Sequence, residues 1–243
     1  MEKRKAVDLK FEKQLKELKI ELSEKQLQQL SEYYELLIQW NKVMNLTGLT
    51  EYEDVYEKHF LDSLSLIKVI DLQKTKKVID IGTGAGFPGI PIKIAYPHLQ
   101  ITLLDSLKKR IGFLNEVVKK LGLEKVETIH GRAEDFAKDK QYRESYDLGV
   151  SRAVADLSVL SEYCLPYVKV GGNFISYKSD AAEEEIEKSE PAIQTLGGKI
   201  EKVVKFQLPE TKIGRSFVRI DKIEATPDKY PRKAGVPLKK PLK

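Results

Sequence analysis

The sequence predicts an α/β fold with a mostly parallel sheet that ends in an antiparallel hairpin and is preceded by a helical extension. Three observations predict it. From Lys77 onward, short apolar strand-like runs alternate with segments of helical period, as in strand–helix–strand units. A glycine-rich turn, Gly82 to Gly89, follows the first of those runs directly. Residues 1–72, in contrast, carry only helical spacing.

Residues 8–20 read as a helix with Leu9, Leu15 and Leu18 as core contacts. Ser23 followed by Gln26 is a capping-box pattern. Leu27, Leu30, Tyr34, Leu37, Asn41 and Met44 then recur at helical spacing until Asn45-Leu46-Thr47-Gly48 ends the helix. Thr50 to Glu53 reads as a second capping box, and the helix after it aligns Val55, His59, Asp62, Leu66 and Ile70 on one side.

Val78 to Ile81 is the first strand, and Ile90 to Ala95 a helix that tolerates Pro91 only in its first turn. A strand over 101–105, a helix over 107–121 stopped by Gly122, and strands over 126–130 and 146–150 follow. Leu157 to Val168 reads as helix, bent or ended by Pro166, and Gly171-Gly172 as a turn into a fifth strand, 173–178. After an acidic helix over 181–196, the stretches 199–208 and 216–224 pair as the hairpin, giving seven strands. The expected divisions are a helical extension over 1–72, a Rossmann-like domain over 73–226 and a basic, Pro-rich tail over 227–243.

Composition narrows the function classes. The chain has 243 residues, 41% hydrophobic and 33% charged, which suffices for a packed core under a well-hydrated surface. No apolar run approaches the roughly 18–20 residues that span a bilayer, and the basic N-terminus lacks the apolar core of a signal peptide. A cytoplasmic protein, acting as a monomer and away from membranes, is expected. One cysteine, Cys164, excludes an internal disulfide and a cysteine-based zinc cluster, and the three histidines show no ligand spacing, so no metal is expected. The net charge is +5, and residues 228–243 hold six Lys or Arg against one Asp, so the whole excess lies in the tail. Such a tail fits a polyanion-binding arm, with Arg232, Lys233, Lys239 and Lys240 as its cations, and equally a solubilising, partly disordered end.

The glycine turn carries the chemistry. In Asp80-Ile81-Gly82-Thr83-Gly84-Ala85-Gly86-Phe87 the third glycine comes one position earlier than in the G-x-G-x-x-G of dinucleotide enzymes. G-x-G-x-G after an acidic strand end is the form of the class I S-adenosylmethionine-dependent methyltransferase fold. Its methionine portion is expected over Gly82, Gly84 and Gly86, with Asp80 steering the cationic amino group directly or through water. Asp105, at the end of the second strand, is placed to accept the ribose hydroxyls. A dehydrogenase would use the same carboxylate, so Asp105 does not discriminate. Glu134 and Asp135 put an acidic pair at the edge of the third strand, where an adenine ring would lie.

The target atom is constrained by residue types that are missing. The fourth strand ends in Ser151-Arg152-Ala153, without the Asn/Asp-Pro-Pro-aromatic motif of exocyclic-amine methyltransferases. Cys164, the one candidate nucleophile for methylation at cytosine carbon 5, reads as a buried structural thiol. A target with an available lone pair, such as guanine nitrogen 7, fits a site without a general base. A cation directly against the transferring methyl would hurt, so Arg152 is expected to grip cofactor, phosphate or base. Its alternative role is a salt bridge to Glu134 or Asp156.

Several motifs converge on one family. They are Trp40-Asn41 with Asn45-Leu46-Thr47, His59-Phe60-Leu61-Asp62-Ser63, Gly82 through Pro91, Asp105-Ser106 with Lys109-Arg110, Arg132-Ala133-Glu134, Ser151-Arg152-Ala153 and Tyr230-Pro231-Arg232-Lys233. With these, nearly the whole chain resembles the RsmG family (glucose-inhibited division protein B) of bacterial 16S ribosomal RNA guanine-N7 methyltransferases; residues 1–20 are least like it. The resemblance implies that Gly82, Phe87, Ala133, Glu134 and Arg152 contact the cofactor, and that the target lies in the 530 loop of small-subunit rRNA. The residues that act on the guanine stay open among Asn45, His59, Asp62 and Arg152. His59 and Asp62 either border a guanine pocket or form a hydrogen-bonded pair fastening the N-terminal helices. Trp40 either stacks a base or packs in the core. Lys108-Lys109-Arg110 and Lys119-Lys120 fit phosphate contacts and solvated helix faces equally. Lys178, at the end of the fifth strand, is the better RNA contact.

Overall fold

The computed structural model of the chain describes residues 2–152, 155–179 and 183–243. Helices α1 (Glu2–Glu17) and α2 (Glu24–Met44) come first. Then α3 (Tyr52–Val55), a π-helical turn (Tyr56–Leu61), α4 (Asp62–Leu64) and a 3-10 turn (Ser65–Lys68) run on without a break. The capping box of α2 forms: the Ser23 hydroxyl accepts from the Gln26 amide, and the Gln26 side chain accepts from the Ser23 amide at 2.8 Å. Leu30, Tyr33, Tyr34 and Leu37 are the face it buries.

Two expectations for this region are corrected. Leu9 is 55% exposed, while Val7, Phe11 and Leu15 are buried; position 9, two residues from each of its buried neighbours, falls on the opposite helical face. Thr50 is not a cap. Glu51 holds that position with no side-chain bond, and the Thr50 carbonyl accepts from the Tyr34 hydroxyl at 3.1 Å, so the helix starts one residue later.

Seven strands form one sheet: β1 (Lys77–Ile81), β2 (Gln100–Asp105), β3 (Val126–His130), β4 (Tyr146–Arg152), β5 (Val168–Lys178), β6 (Gly198–Gln207) and β7 (Gly214–Lys222). Their spatial order is β3-β2-β1-β4-β5-β7-β6. The first five pair in parallel, and β7 is antiparallel to both β5 and β6. The expected plan is therefore the observed one. Strand order reverses between β1 and β4, which opens a crevice at their carboxyl ends.

The connecting helices are α5 (Gly89–Ala95), α6 (Lys108–Lys120), α7 (Ala133–Phe136), α8 (Leu157–Cys164) and α9 (Glu183–Thr195), with α10 (Val236–Lys239) in the tail. The expected start of the acidic helix at 181, and Ala153, lie outside the described residues. α8 ends before Pro166, which has no amide hydrogen to continue a helix. β5 begins five residues before its expected start: Val168 already pairs with Tyr146, and the register slips before Leu148 pairs with Asn173. Gly171-Gly172 thus sits within a bulge of the strand, Gly171 at φ +85°, and is not a turn leading into it. β7 starts two residues earlier than expected because pairing with β5 and β6 extends it to Gly214.

Apolar side chains form two clusters. One joins α1 and α2 to α5, α6 and the sheet through Leu30, Tyr33, Phe60, Ile90 and Phe113. The N-terminal helices therefore share a core with the sheet. The other cluster lies under α8 and α9 and contains Cys164, whose thiol is fully buried and pushed up by burial.

The reading of a partly disordered tail is corrected. Tyr230 and Pro237 are buried. The Arg143 guanidinium donates to the carbonyls of Thr226 at 2.7 Å and Tyr230 at 2.9 Å. The Arg232 fork meets Glu162, Nε to Oε1 at 2.9 Å and Nη2 to Oε2 at 2.6 Å, and Glu162 is fully buried. A bidentate charge pair of this kind anchors the segment geometrically.

Candidate active site

The carboxyl edge of the sheet gathers the predicted residues. Gly82, Gly84 and Gly86 all have positive φ, but they do different work. A Cβ built on Gly84 would meet only the Gly82 carbonyl oxygen, at 4.0 Å, so its bare side faces open space. A Cβ on Gly86 would lie 2.6 Å from Ile90 Cγ1 and 2.8 Å from the Tyr33 hydroxyl. Gly84 leaves room for a ligand; Gly86 lets α2 and α5 close on the loop. The Tyr33 hydroxyl donates to the Ala85 carbonyl and ties the two together.

Asp80 braces the loop from beneath. Its Oδ2 accepts from the Thr83 hydroxyl at 2.6 Å and the Gly89 amide at 2.8 Å, while Oδ1 is buried without a partner. Complete burial raises its pKa to about 6. Its hydrogen bonds stay inside the loop.

A cavity of about 350 Å³ opens above, walled by Thr47, His59, Gly84, Phe87, Asp105 and Arg152 among others. Asp105 Oδ2 accepts from the Gly84 amide at 2.9 Å and from Arg110 Nη1 at 3.2 Å; Oδ1 accepts from the Leu107 amide at 2.9 Å. Arg110 itself is partly exposed. Ala133 and Glu134 are buried at the adjoining edge, and Glu134 Oε1 accepts from the tail amide of Gly235 at 2.8 Å. The open Gly84, the carboxylate beside it and the aromatic Phe87 fit a neutral-to-cationic nucleoside ligand carrying no phosphate.

Arg152, ending β4, organises the far wall. Its Nη1 donates to Asp62 Oδ2 at 2.8 Å and to the Lys58 carbonyl at 3.2 Å, and its Nη2 lies 3.1 Å from His59 Nδ1. Its guanidinium is 5.1 Å from the Phe87 ring centroid, and His59 stacks on that ring at 4.4 Å. Asp62 and His59 do not bond to each other as a pair; both bond to Arg152. His59 lies in the π-helical turn and Asp62 at its C-cap, three residues on, and both reach this one cation. Nor does Arg152 pair with Glu134 or Asp156; Asp156 caps α8 through the Ser158 amide at 3.1 Å.

Both imidazole nitrogens of His59 have partners. Nδ1 lies 3.1 Å from both the Arg152 guanidinium, which only donates, and the Lys58 carbonyl, which only accepts, and Nε2 lies 2.8 Å from the Thr47 hydroxyl, which can do either. Burial, then the neighbouring Arg152, lowers the His59 pKa to about 3, so the ring is neutral near pH 7. Asn45 occupies a left-handed cap of α2 at φ 48° and is exposed. Its neighbours Leu46 and Thr47 reach the cavity.

A second cavity, about 520 Å³, shares His59 and Arg152 with the first and adds Lys58, Asp62, Lys178 and Arg215. Lys178 donates to the Ala155 carbonyl at 3.0 Å and pairs with Glu185. Arg215 Nε donates to Asp62 Oδ1 at 2.8 Å. Sequence reading missed Arg215 and Thr47. Thr47 lay within a quoted motif, but Arg215 has no local signal: the antiparallel pairing of Lys178 with Ser216 brings it here. Of the tail cations, Arg232 is turned onto Glu162, whereas Lys233, Lys239 and Lys240 are exposed. Trp40 is partly buried against Phe113, its indole donating to Glu116 at 3.1 Å. Among the described residues no cluster of three His, Cys, Asp or Glu is placed to hold a metal, and no helix is long and apolar enough to cross a membrane.

Comparison with known proteins identifies the family. The family model described as rRNA small subunit methyltransferase G matches residues 26–214. A ribosomal RNA small subunit methyltransferase G from Lachnoclostridium phytofermentans is 54% identical over 228 residues, covering 94% of each chain. The protein of that name from Exiguobacterium sibiricum is 52% identical, covering 94% of this chain and 96% of its own. In fold alone, the chain is similar to the crystal structure of TrmN from Thermus thermophilus, with TM-score 0.50 and 13% identity over 69% of this chain and 53% of that one. Sequence, fold and site together place the chain in the ribosomal RNA small subunit methyltransferase G family.

Proposed function

We propose that this chain uses S-adenosylmethionine to methylate nitrogen 7 of a guanine in the 530 loop of 16S ribosomal RNA. Membership of the family carries the activity class: an S-adenosylmethionine-dependent methyltransferase acting on small-subunit rRNA. The observation that supports the atom is the state of the acids and bases where the two cavities meet. Both nitrogens of His59 are engaged and its ring is neutral; Asp62 is clamped by two guanidiniums; Asp105 accepts from two amides and Arg110. None of these is poised to remove a proton, and methylation of a ring nitrogen with a lone pair removes none.

The bound cofactor would supply an electrophilic methyl group on a sulfonium. The chain's own residues do the rest. The Gly82–Gly86 shelf and Asp105 would hold the donor, Phe87 and neutral His59 would face it without adding positive charge, and Arg152 is anchored to Asp62. These residues would aim the donor's methyl at the acceptor lone pair, with no proton to remove. Alignment of this kind supplies roughly 7–11 kcal/mol.

The test is transfer from labelled S-adenosylmethionine to 30S subunits and to free 16S rRNA, followed by borohydride–aniline cleavage, which cuts at 7-methylguanine. A single cut in the 530 loop is expected. Label on protein or on a small molecule, or methylated RNA resistant to cleavage, would refute the assignment. Failure to bind S-adenosylhomocysteine would leave a non-catalytic RNA-binding module.

A further inference from the structure

The second cavity contains a charge imbalance at its centre. Asp62, 4% exposed, accepts from both Arg152 at 2.8 Å and Arg215 at 2.8 Å. One carboxylate therefore serves two guanidiniums, and the trio is net positive. Elsewhere on the wall each cation has its own acid: Lys178 has Glu185, and Lys58 has Asp54 at 2.6 Å. An excess charge held in a partly buried cluster favours something negative that completes it.

The donors are divided unequally. Arg152 spends Nη1 on Asp62 and the Lys58 carbonyl, and Nη2 on His59. Arg215 spends Nε on Asp62 and Nη1 on the Gly214 carbonyl at 3.0 Å. Among the described residues its Nη2 donates to nothing. The side chain is 25% exposed and borders the cavity, with Lys178 opposite in the strand pairing next to it. An arginine held at Nε by a buried acid and at Nη1 by a carbonyl, with Nη2 left over, is preorganised for a tetrahedral oxyanion.

We infer that Arg215 is a phosphate-binding residue: its Nη2 edge, set by Asp62 and flanked by Lys178 and Lys58, receives one phosphodiester of the RNA beside the methyl-accepting base. The assignment rests on the RNA-methyltransferase reading and names the part of the site that grips the strand. Arg152 and His59 are common to both cavities, so a nucleotide whose base meets the donor has its backbone within reach of Arg215. Asp62 would then be a positioning residue for two cations with separate duties, one toward the donor cavity and one toward the strand.

The test uses Arg215→Met and Arg215→Lys in the full chain. Binding of a 16S rRNA transcript is measured against salt, and S-adenosylhomocysteine binding by calorimetry. Arg215→Met should weaken RNA binding about tenfold at low salt and reduce the slope of log K against log salt by about 0.7. Affinity for S-adenosylhomocysteine should stay unchanged. Arg215→Lys restores a partner for Asp62, and with it the melting temperature, yet should still bind RNA weakly because one ammonium cannot serve acid and phosphate together. Recovery of full RNA affinity in Arg215→Lys, or loss of RNA affinity with an unaltered slope, would reduce Arg215 to a structural partner of Asp62. Loss of S-adenosylhomocysteine affinity would make it a prop of the donor cavity instead. If wild-type protein itself neither binds nor methylates rRNA, the functional reading fails independently of Arg215.

Discussion

The hydroxyl of Tyr33, in the second helix, donates to the backbone carbonyl of Ala85, in the middle of the glycine loop. This bond joins the N-terminal helices to the shelf where the methyl donor is expected. Tyr33 is fully buried and its ring is 5.4 Å from Phe87 and 5.5 Å from Phe60. The extension is thereby part of the wall of the site.

Tyr33→Phe keeps the ring and removes that donor, leaving a buried carbonyl unpaired. A stability loss of about 1–3 kcal/mol is expected, with S-adenosylhomocysteine binding weakened several-fold as the loop loosens. Urea denaturation and calorimetry read the two effects. Unchanged affinity would mean that the loop holds its shape without α2.

Gly84→Val should abolish binding of S-adenosylhomocysteine while the protein still folds. The position has φ +61° and open space beyond its Cα, so a side chain would fill the room reserved for ligand. The left-handed backbone adds a strain of about 1–2 kcal/mol. Retained binding, in a variant with native circular dichroism, would place the donor elsewhere.

His59 makes stability depend on pH with a definite sign. Its native pKa is about 3 against an unfolded value of 6.5, so between those limits the unfolded chain binds the extra proton. Stability contributed by the neutral ring is present above pH 6.5 and drains away on acidification, with a limiting slope of about 1.4 kcal/mol per pH unit. Asp80 acts in the opposite direction, because its native pKa of about 6 lies above its unfolded value of 3.8 and protonation there favours the folded state. Comparing wild type with His59→Gln at each pH isolates the histidine. The gap between them should change in favour of the variant as pH falls from 6.5; parallel curves would show that the ring titrates normally.

The tail separates anchoring from charge. Arg232→Met leaves buried Glu162 without its guanidinium, keeping only the backbone amide of residue 232 at 2.8 Å, and should cost about 3–5 kcal/mol in denaturant melts. Replacing exposed Lys233, Lys239 and Lys240 by glutamine should leave stability nearly unchanged. It should also lower the RNA salt slope by up to about 2, at about 0.7 per phosphate contact. A triple variant with the wild-type slope would take these lysines out of the RNA interface.

The parallel sheet, its closing hairpin, the Ser23 cap and the glycine loop were legible in the chain because each is written locally. Apolar period distinguishes strand from helix, a capping box spans four residues, and three glycines mark where backbone must turn and leave space. The loop's acid Asp80 and the strand-end Asp105 followed from the same short-range grammar. The meeting of Asp62 with Arg152 and Arg215 did not, since it joins residues 90 and 153 positions apart. It depends on the end of β4 meeting the segment that carries Lys58 and Asp62, and on the antiparallel register that sets Ser216 against Lys178. The docking of Arg232 on buried Glu162 is of the same kind. Local patterning chooses the elements. Which charges neutralise one another, and which guanidinium keeps a free edge, is decided by strand order and register, because Coulomb and hydrogen-bond partners are selected by distance in space and not along the chain.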